Sequence, residues 1–188
     1  MSFTIIPFQH DKIDDVKQFT DRWIGQDYFS LEELAAVLEL SCSSKLNASF
    51  LAYDQDLLVG VRLSYLPGTW TKSARGITPS LWPCSLEKVA YFKSLFIAQS
   101  AQKKGLGRSL SQKSLDVLRQ AGAQAVVCHS WLESPQDSSR RYLQAIGFRS
   151  VASHEKFWEP IDYLCTRCTP KPCQCTAVEM LKILEERS

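Results

Sequence analysis

Two short stretches of this 188-residue chain hold residue types that do chemistry when set close together. The first is Gln102-Lys103-Lys104-Gly105-Leu106-Gly107-Arg108-Ser109, which follows the apolar run Leu95-Phe96-Ile97. A strand that enters a basic glycine turn and then opens a helix makes an anion site. The first N–H groups of a helix have no internal partner and carry partial positive charge. Gly105 and Gly107 remove side chains that would hold a phosphate off, and Lys103, Lys104 and Arg108 add positive charge. The pattern suits a pyrophosphate. The second stretch holds Cys165, Cys168, Cys173 and Cys175 within eleven residues. Four thiolates at that spacing close a tetrahedral metal site, with zinc the first expectation. Pro170 and Pro172 restrict the turn between the pairs. An iron–sulfur cluster and metal-free, redox-sensitive thiols are the other readings. Disulfides are disfavoured, because a Cys173–Cys175 bridge is strained and cytosolic thiols stay reduced.

Periodicity shows which elements carry these stretches. Residues 3–8 read as a first strand. A helix capped at His10 or Asp11 places Ile13, Val16, Phe19, Trp23 and Ile24 on one face and stops at Gly25. Ser30 with Glu33 is a capping box for a second helix. Residues 48–53 and 57–65 form a hairpin around Asp54-Gln55-Asp56. Residues 67–85 are a long connection bearing Trp70 and Trp82, which reads either as a lid or substrate wall or as a loop pinned by its tryptophans. Residues 86–97 are apolar on both faces and predict a central strand.

Beyond the glycine turn a helix runs to Gly122, and residues 125–131 form another buried strand containing Cys128 and His129. A helix over 138–146 ends at Gly147, and 149–158 alternates as a late strand. Val178, Leu181 and Leu184, three apart, predict a final helix over 176–187. The expected organisation is one domain, 1–160, with a cysteine loop and a C-terminal helix, 161–188, packed on it.

Composition narrows the class. The chain is 45% hydrophobic and 22% charged with a net charge of +2, an ordinary balance for a globular protein. Nothing in that balance argues for a nucleic-acid partner. No apolar run reaches about 18 residues, so no membrane span is expected. Residues 1–6 lack the basic flank and long apolar region of a secretory signal, which makes a cytoplasmic location the default. Cys42, Cys84 and Cys128 are scattered and read as buried thiols.

The element order, together with Gln102-Lys103-Lys104-Gly105-Leu106-Gly107 and the segment Arg140-Arg141-Tyr142-Leu143-Gln144-Ala145-Ile146-Gly147-Phe148, resembles the GNAT family of N-acetyltransferases over residues 3–158. The first motif matches the family's acetyl-CoA signature, Gln/Arg-x-x-Gly-x-Gly/Ala. A Rossmann dinucleotide site fits poorly, because its three-glycine pattern and acidic residue are missing, and a P-loop lacks its Gly-Lys-Ser/Thr. The resemblance implies an α/β (α+β) fold: a mixed, mostly antiparallel central sheet flanked by helices and splayed at strands four and five. It implies that backbone N–H groups of Lys103 to Arg108 bind the CoA pyrophosphate near Ser109. It also implies that main-chain groups of Leu95, Phe96 and Ile97 pair with the pantetheine and polarise the acetyl carbonyl.

The implied reaction is direct attack by a primary amine on the thioester within a ternary complex. A base is needed for the amine, with Glu87 and Glu133 the candidates and His129 behind them. An acid is needed for the departing thiolate. The family's usual tyrosine position, four residues before the glycine of Gly-Phe, holds Leu143 here, and Tyr142 stands one place earlier. That shift keeps a second reading open, a degenerate fold that binds CoA or a partner without turnover. The acceptor, a small-molecule amine or a peptide or protein amine, and the oligomeric state are not legible.

Overall fold

The computed structural model describes residues 3–161, 165, 167, 168 and 172–184. Among these residues seven strands make one sheet: β1 (Thr4–Pro7), β2 (Phe50–Asp54), β3 (Leu57–Tyr65), β4 (Val89–Ile97), β5 (Ala125–Trp131), β6 (Arg149–His154) and β7 (Ala177–Ile183). Their spatial order is β1-β2-β3-β4-β5-β7-β6. All neighbouring pairs are antiparallel except β4 and β5, which are parallel. Four α-helices among the described residues cover the sheet: α1 (Ile13–Trp23), α2 (Leu31–Ser41), α3 (Leu106–Gln120) and α4 (Ser138–Ala145). The mixed sheet flanked by helices is the architecture expected from the sequence. Among the described residues, no helix is long and apolar enough to cross a membrane.

Strand alternation sorts the core into two layers. Phe92, Cys128 and Met180 pack with Leu115 and Leu118 of α3 and Leu143 of α4. Val89, Val127 and Leu181 belong to the layer that holds Val16 and Phe19 of α1 and Leu34 and Val37 of α2. The capping box starts α2 as expected. Ser30 Oγ accepts from the Glu33 N–H at 3.1 Å, and the Glu33 carboxylate accepts from the Ser30 N–H at 2.8 Å.

The C-terminal segment corrects the sequence reading. Where Val178, Leu181 and Leu184 predict a helix, Ala177–Ile183 is a strand, inserted between β5 and β6. Ala177 through Leu181 are buried in unbroken succession. A strand covered on both faces reads as a continuous apolar run, in which a three-residue repeat does not separate helix from strand. Residues 185–187 of the predicted helix lie outside the described residues. The sheet therefore runs across the boundary expected at residue 160. Two ends also move: β4 starts at Val89 after a 3-10 turn at Leu86–Lys88, and β6 stops at His154.

Glu179, in the middle of β7, is fully buried. Its carboxylate accepts from Trp82 Nε1 at 2.6 Å, from the Thr78 hydroxyl at 2.7 Å and from His154 Nε2 at 2.9 Å. Trp82 and Thr78 belong to the 67–85 connection, so this one side chain ties that loop to the sheet. Trp70 adds a second tie by donating Nε1–H to the Val89 carbonyl at 2.8 Å. Gly76, at φ +56, lies so close to Phe157 that a Cβ would approach the ring to 2.6 Å. Burial works against the Glu179 charge, but the donors from Thr78, His154 and Trp82 outweigh it and hold the carboxyl below its ordinary range.

Replacing Glu179 removes the acceptor of one buried donor, Trp82, and of two partly buried ones, Thr78 and His154. Glu179→Ala is expected to cost about 3–5 kcal/mol and Glu179→Gln about 1–3 kcal/mol. Denaturant midpoints check both values, and near-wild-type stability of the alanine variant contradicts this role.

Candidate functional site

The site begins where two strands part. β4 and β5 pair through four positions, from Val89↔Ala125 to Phe92↔Cys128, and β5 then continues against β7, with His129 opposite Glu179. On its other edge β4 changes register: Leu63 faces Ser94 but Ser64 faces Phe92, which leaves Lys93 as an extra, bulged residue. Bulges bend a strand and re-aim its side chains. From Ser94 onward β4 pairs with β3 alone, and its edge toward β5 opens. Two cavities occupy this region and share Leu95.

The smaller cavity, of about 310 Å³, is lined by Leu95, Ile97, Ala101, Gln102, Lys103, Gly105, Leu106, Gly107, Arg108 and Tyr142. Gly105 caps α3 in the left-handed region at φ +80, a conformation that side chains resist. The Gln102 amide donates to the Ile97 carbonyl at 3.1 Å and so fastens the turn to the strand end. A Cβ at Gly107 would come within 3.3 Å of Leu95 and narrow the groove. Basic side chains, unpaired helix N–H groups and glycine backbone together fit a pyrophosphate. Phe96 lines the larger cavity instead, and Lys104 and Ser109 line neither.

Behind the groove runs a hydrogen-bonded chain that sequence reading missed. Arg62, buried on β3, donates to Ser111 Oγ at 2.7 Å, and its guanidinium lies 4.0 Å from the Phe92 ring centre. Ser111 and Tyr142 hydroxyls are 2.7 Å apart, and Tyr142 donates to the Gly107 carbonyl at 2.8 Å. Because the single phenolic proton is used there, Ser111 donates to Tyr142. Tyr142 thus links α4 to the glycine turn, with a buried cation two bonds behind it.

The larger cavity, of about 590 Å³, has aromatic walls from four parts of the chain. Trp23 and Tyr28 come from α1 and the following loop, Tyr65 and Trp70 from the end of β3 and the loop, Phe96 from β4, and Phe157 and Trp158 from beyond β6. Of the two loop tryptophans, Trp70 both pins and lines, whereas Trp82 only pins. Among the described residues the charged ones in the lining are Arg75 and Lys93, with no carboxylate. The Arg75 guanidinium lies 4.6 Å from the Phe157 ring centre. Burial lowers the Lys93 pKa, with Glu33 opposing that shift and Arg75 adding to it.

Tyr91 and His129 form the polar floor. His129 Nε2 faces the Gly76 carbonyl, which only accepts, so this nitrogen carries the proton of the neutral ring. Nδ1 therefore accepts from the Tyr91 hydroxyl at 2.8 Å. Burial pushes the Tyr91 phenol up and brings His129 down to about 4. At neutral pH the pair is uncharged, with a lone pair behind a hydroxyl.

The carboxylates named from sequence sit elsewhere. Glu87 is exposed on the turn before β4 and lines neither cavity. Glu133 also lies outside both linings, and its two oxygens accept the Thr176 N–H at 3.0 and 3.1 Å, fixing the entry to β7. Cys165 lines the larger cavity.

Comparison with known proteins adds the following. The sequence matches the model of the Acetyltransferase (GNAT) family over residues 16–148. No curated protein matches the chain. The fold is similar to the ribosomal-protein-S18-alanine N-acetyltransferase from Escherichia coli, with TM-score 0.68, 11% identity and coverage of 100% of this chain and 97% of that one. It is similar to yncA from Salmonella typhimurium, solved with its cofactor acetyl-CoA, with TM-score 0.68, 14% identity and coverage of 100% and 97%. It is also similar to Chaetomium thermophilum Naa20 in complex with a bisubstrate analogue, with TM-score 0.69, 16% identity and coverage of 96% and 86%. At these identities the likeness is one of fold.

The depressed pKa of His129 sets a pH window. Stability from its neutral form is complete above about pH 6.5 and is lost as pH falls through about 4, a total on the order of 3 kcal/mol. His129→Gln is expected to flatten stability between those pH values, measured by denaturant unfolding at each. An unchanged slope contradicts the buried neutral ring.

Proposed function

The chain belongs to the GNAT acetyltransferase family, and from that premise we propose that it moves an acetyl group from acetyl-CoA to the primary amine of a small molecule that also carries an anionic group. The observation that carries this reading is the aromatic cavity joined at Leu95 to the glycine groove, whose charged side chains among the described residues are Arg75 and Lys93, without a carboxylate. A polycation finds no counter-charge there. An aromatic or aliphatic amine with a carboxylate or phosphate finds two. The name of one similar fold, a ribosomal-protein-S18-alanine N-acetyltransferase, agrees with an amine acceptor. A peptide N-terminus is therefore the second reading, and one arm of the test addresses it.

In this reading Lys103 to Arg108 hold the CoA pyrophosphate, and the open edge of β4 from Leu95 to Ile97 takes the pantetheine. Acetyl-CoA supplies an activated acyl group, and the protein supplies position and proton transfer. Main-chain N–H groups beyond the Lys93 bulge stabilise negative charge at the acyl oxygen. The Tyr91 hydroxyl, whose proton is held by His129 Nδ1, accepts a hydrogen bond from the amine and orients it, and water carries away the amine proton. Tyr142 protonates the leaving sulfur, and Arg62, acting through Ser111, eases the charge left on the phenol oxygen. Glu133, outside both cavities, then fixes the entry to β7, and Glu87, exposed before β4, takes no part in the proton transfer. The catalytic domain is residues 1–160 completed by β7, and the cytoplasm is the proposed compartment.

Release of CoA thiol is to be measured against a panel of anionic aromatic amines, polyamines and peptides. Turnover is expected with the first group. Arg75→Ala and Lys93→Ala should each raise the acceptor KM about tenfold, the loss of one charge-assisted contact, and leave the acetyl-CoA KM unchanged. Preference for polyamines or peptides overturns the acceptor class. CoA binding without turnover of any amine leaves a binding module.

A further inference from the structure

Acetyl transfer makes no use of the cysteine-rich segment, yet its four thiols converge. The Sγ atoms of Cys165, Cys168, Cys173 and Cys175 all lie within 4.8 Å of one another. The Cys175 sulfur is 3.5 Å from that of Cys168 and 3.9 Å from that of Cys165. A disulfide brings two sulfurs to about 2.05 Å. Four sulfurs set tetrahedrally at about 2.3 Å from a zinc ion stand about 3.8 Å apart. The observed spacing is of the second kind.

Backbone donors face two of the sulfurs. The Cys168 N–H donates to the Cys165 sulfur at 3.4 Å, and the Gln174 N–H donates to the Cys168 sulfur at 3.3 Å. Hydrogen bonds of this kind favour the charged sulfur that binds a metal. Cys165, Cys173 and Cys175 are buried, and the Trp131 and Trp158 rings pack against the group. Among the described residues the gathered side chains offer sulfur alone, a soft donor set.

We infer that Cys165, Cys168, Cys173 and Cys175 hold one zinc ion in a closed tetrahedral site, and that this site fixes the C-terminal wall of the larger cavity. The link to the wall is short. Cys165 lines that cavity beside Trp158 and Ile161. The Cys175 carbonyl accepts from the Phe157 N–H at 3.1 Å. Phe157 in turn stacks on His129 with ring centres 4.2 Å apart and carries the Arg75 guanidinium on its face. Metal at the cysteines therefore positions Phe157, and through it both the polar floor and one of the two cations.

Metal content of the purified full chain, dialysed against metal-free buffer, tests the site without reference to activity, so its failure and that of the acetyl-transfer reading stay separate. About one zinc per chain is expected. The four thiols should resist a thiol reagent until the metal is chelated. Cys173→Ser and Cys168→Ser should each lower the zinc content. Stripping zinc from the wild-type chain tests the wall without any substitution that prevents folding. Faster hydrogen exchange is expected at residues 157–161 and unchanged exchange at 102–109. A chain without stoichiometric metal, one that keeps its zinc in both variants, or one that carries iron instead overturns the assignment. Unchanged exchange at 157–161 after stripping overturns the role of the metal in the wall.

Discussion

The architecture turns on two parallel strands that pair for four residues and then separate. Up to Phe92 and Cys128 the sheet is continuous; beyond them β5 keeps only β7, with which it pairs throughout, and β4 keeps only β3. An extra residue in β4, Lys93, marks the point of separation. A bulge costs one ladder position and gives a bend in return. Here the bend opens an edge of main chain, places the glycine turn at the end of that edge, and leaves room on the opposite side for a cavity of about 590 Å³. Both cavities are consequences of one break in pairing.

A gap in a sheet is stable only if its rim is held, and polar side chains do most of the holding. On the loop side, Glu179 gathers donors from Thr78, Trp82 and His154, while the neighbouring His129 joins Tyr91 to the Gly76 carbonyl. On the α3 side, Arg62, Ser111 and Tyr142 run in series to the Gly107 carbonyl. Burying such groups is costly unless each finds a partner, and partnered networks fix one geometry where an apolar contact would tolerate several. That suits a loop which must line a cavity and yet stay in register with the sheet. The same economy explains why His129 is neutral: the ring is buried between a donor and an acceptor that neutral imidazole satisfies.

The glycine turn was legible because it is local: strand, two glycines, basic residues and helix start follow one another in sequence. The capping box of α2 and the central strand were legible for the same reason. β7 was not, because Ala177 to Leu181 are buried on both faces and carry no polar period to separate strand from helix. Glu179, a single acid between Val178 and Met180, was the available signal, since an acid inside an apolar strand needs partners. The cavity was out of reach for another reason. Trp23, Tyr65, Arg75, Lys93 and Phe157 are remote in sequence, and only the register shift of β4 and the pinned loop bring them together. Glu87 and Glu133 drew attention by residue type and position near strand ends, which says nothing about which way a carboxylate faces.

The central claim is that the two cavities are one site, entered by cofactor from the glycine turn and by acceptor from the aromatic side. A crystal structure of the full chain with CoA bound tests it most directly. The pyrophosphate is expected on the N–H groups of residues 103–108, the pantetheine along the open edge of β4, and the sulfur beside Leu95, facing Tyr142 on one side and the aromatic cavity on the other. A CoA thiol that lies away from Leu95, or a pyrophosphate bound outside the turn, contradicts it.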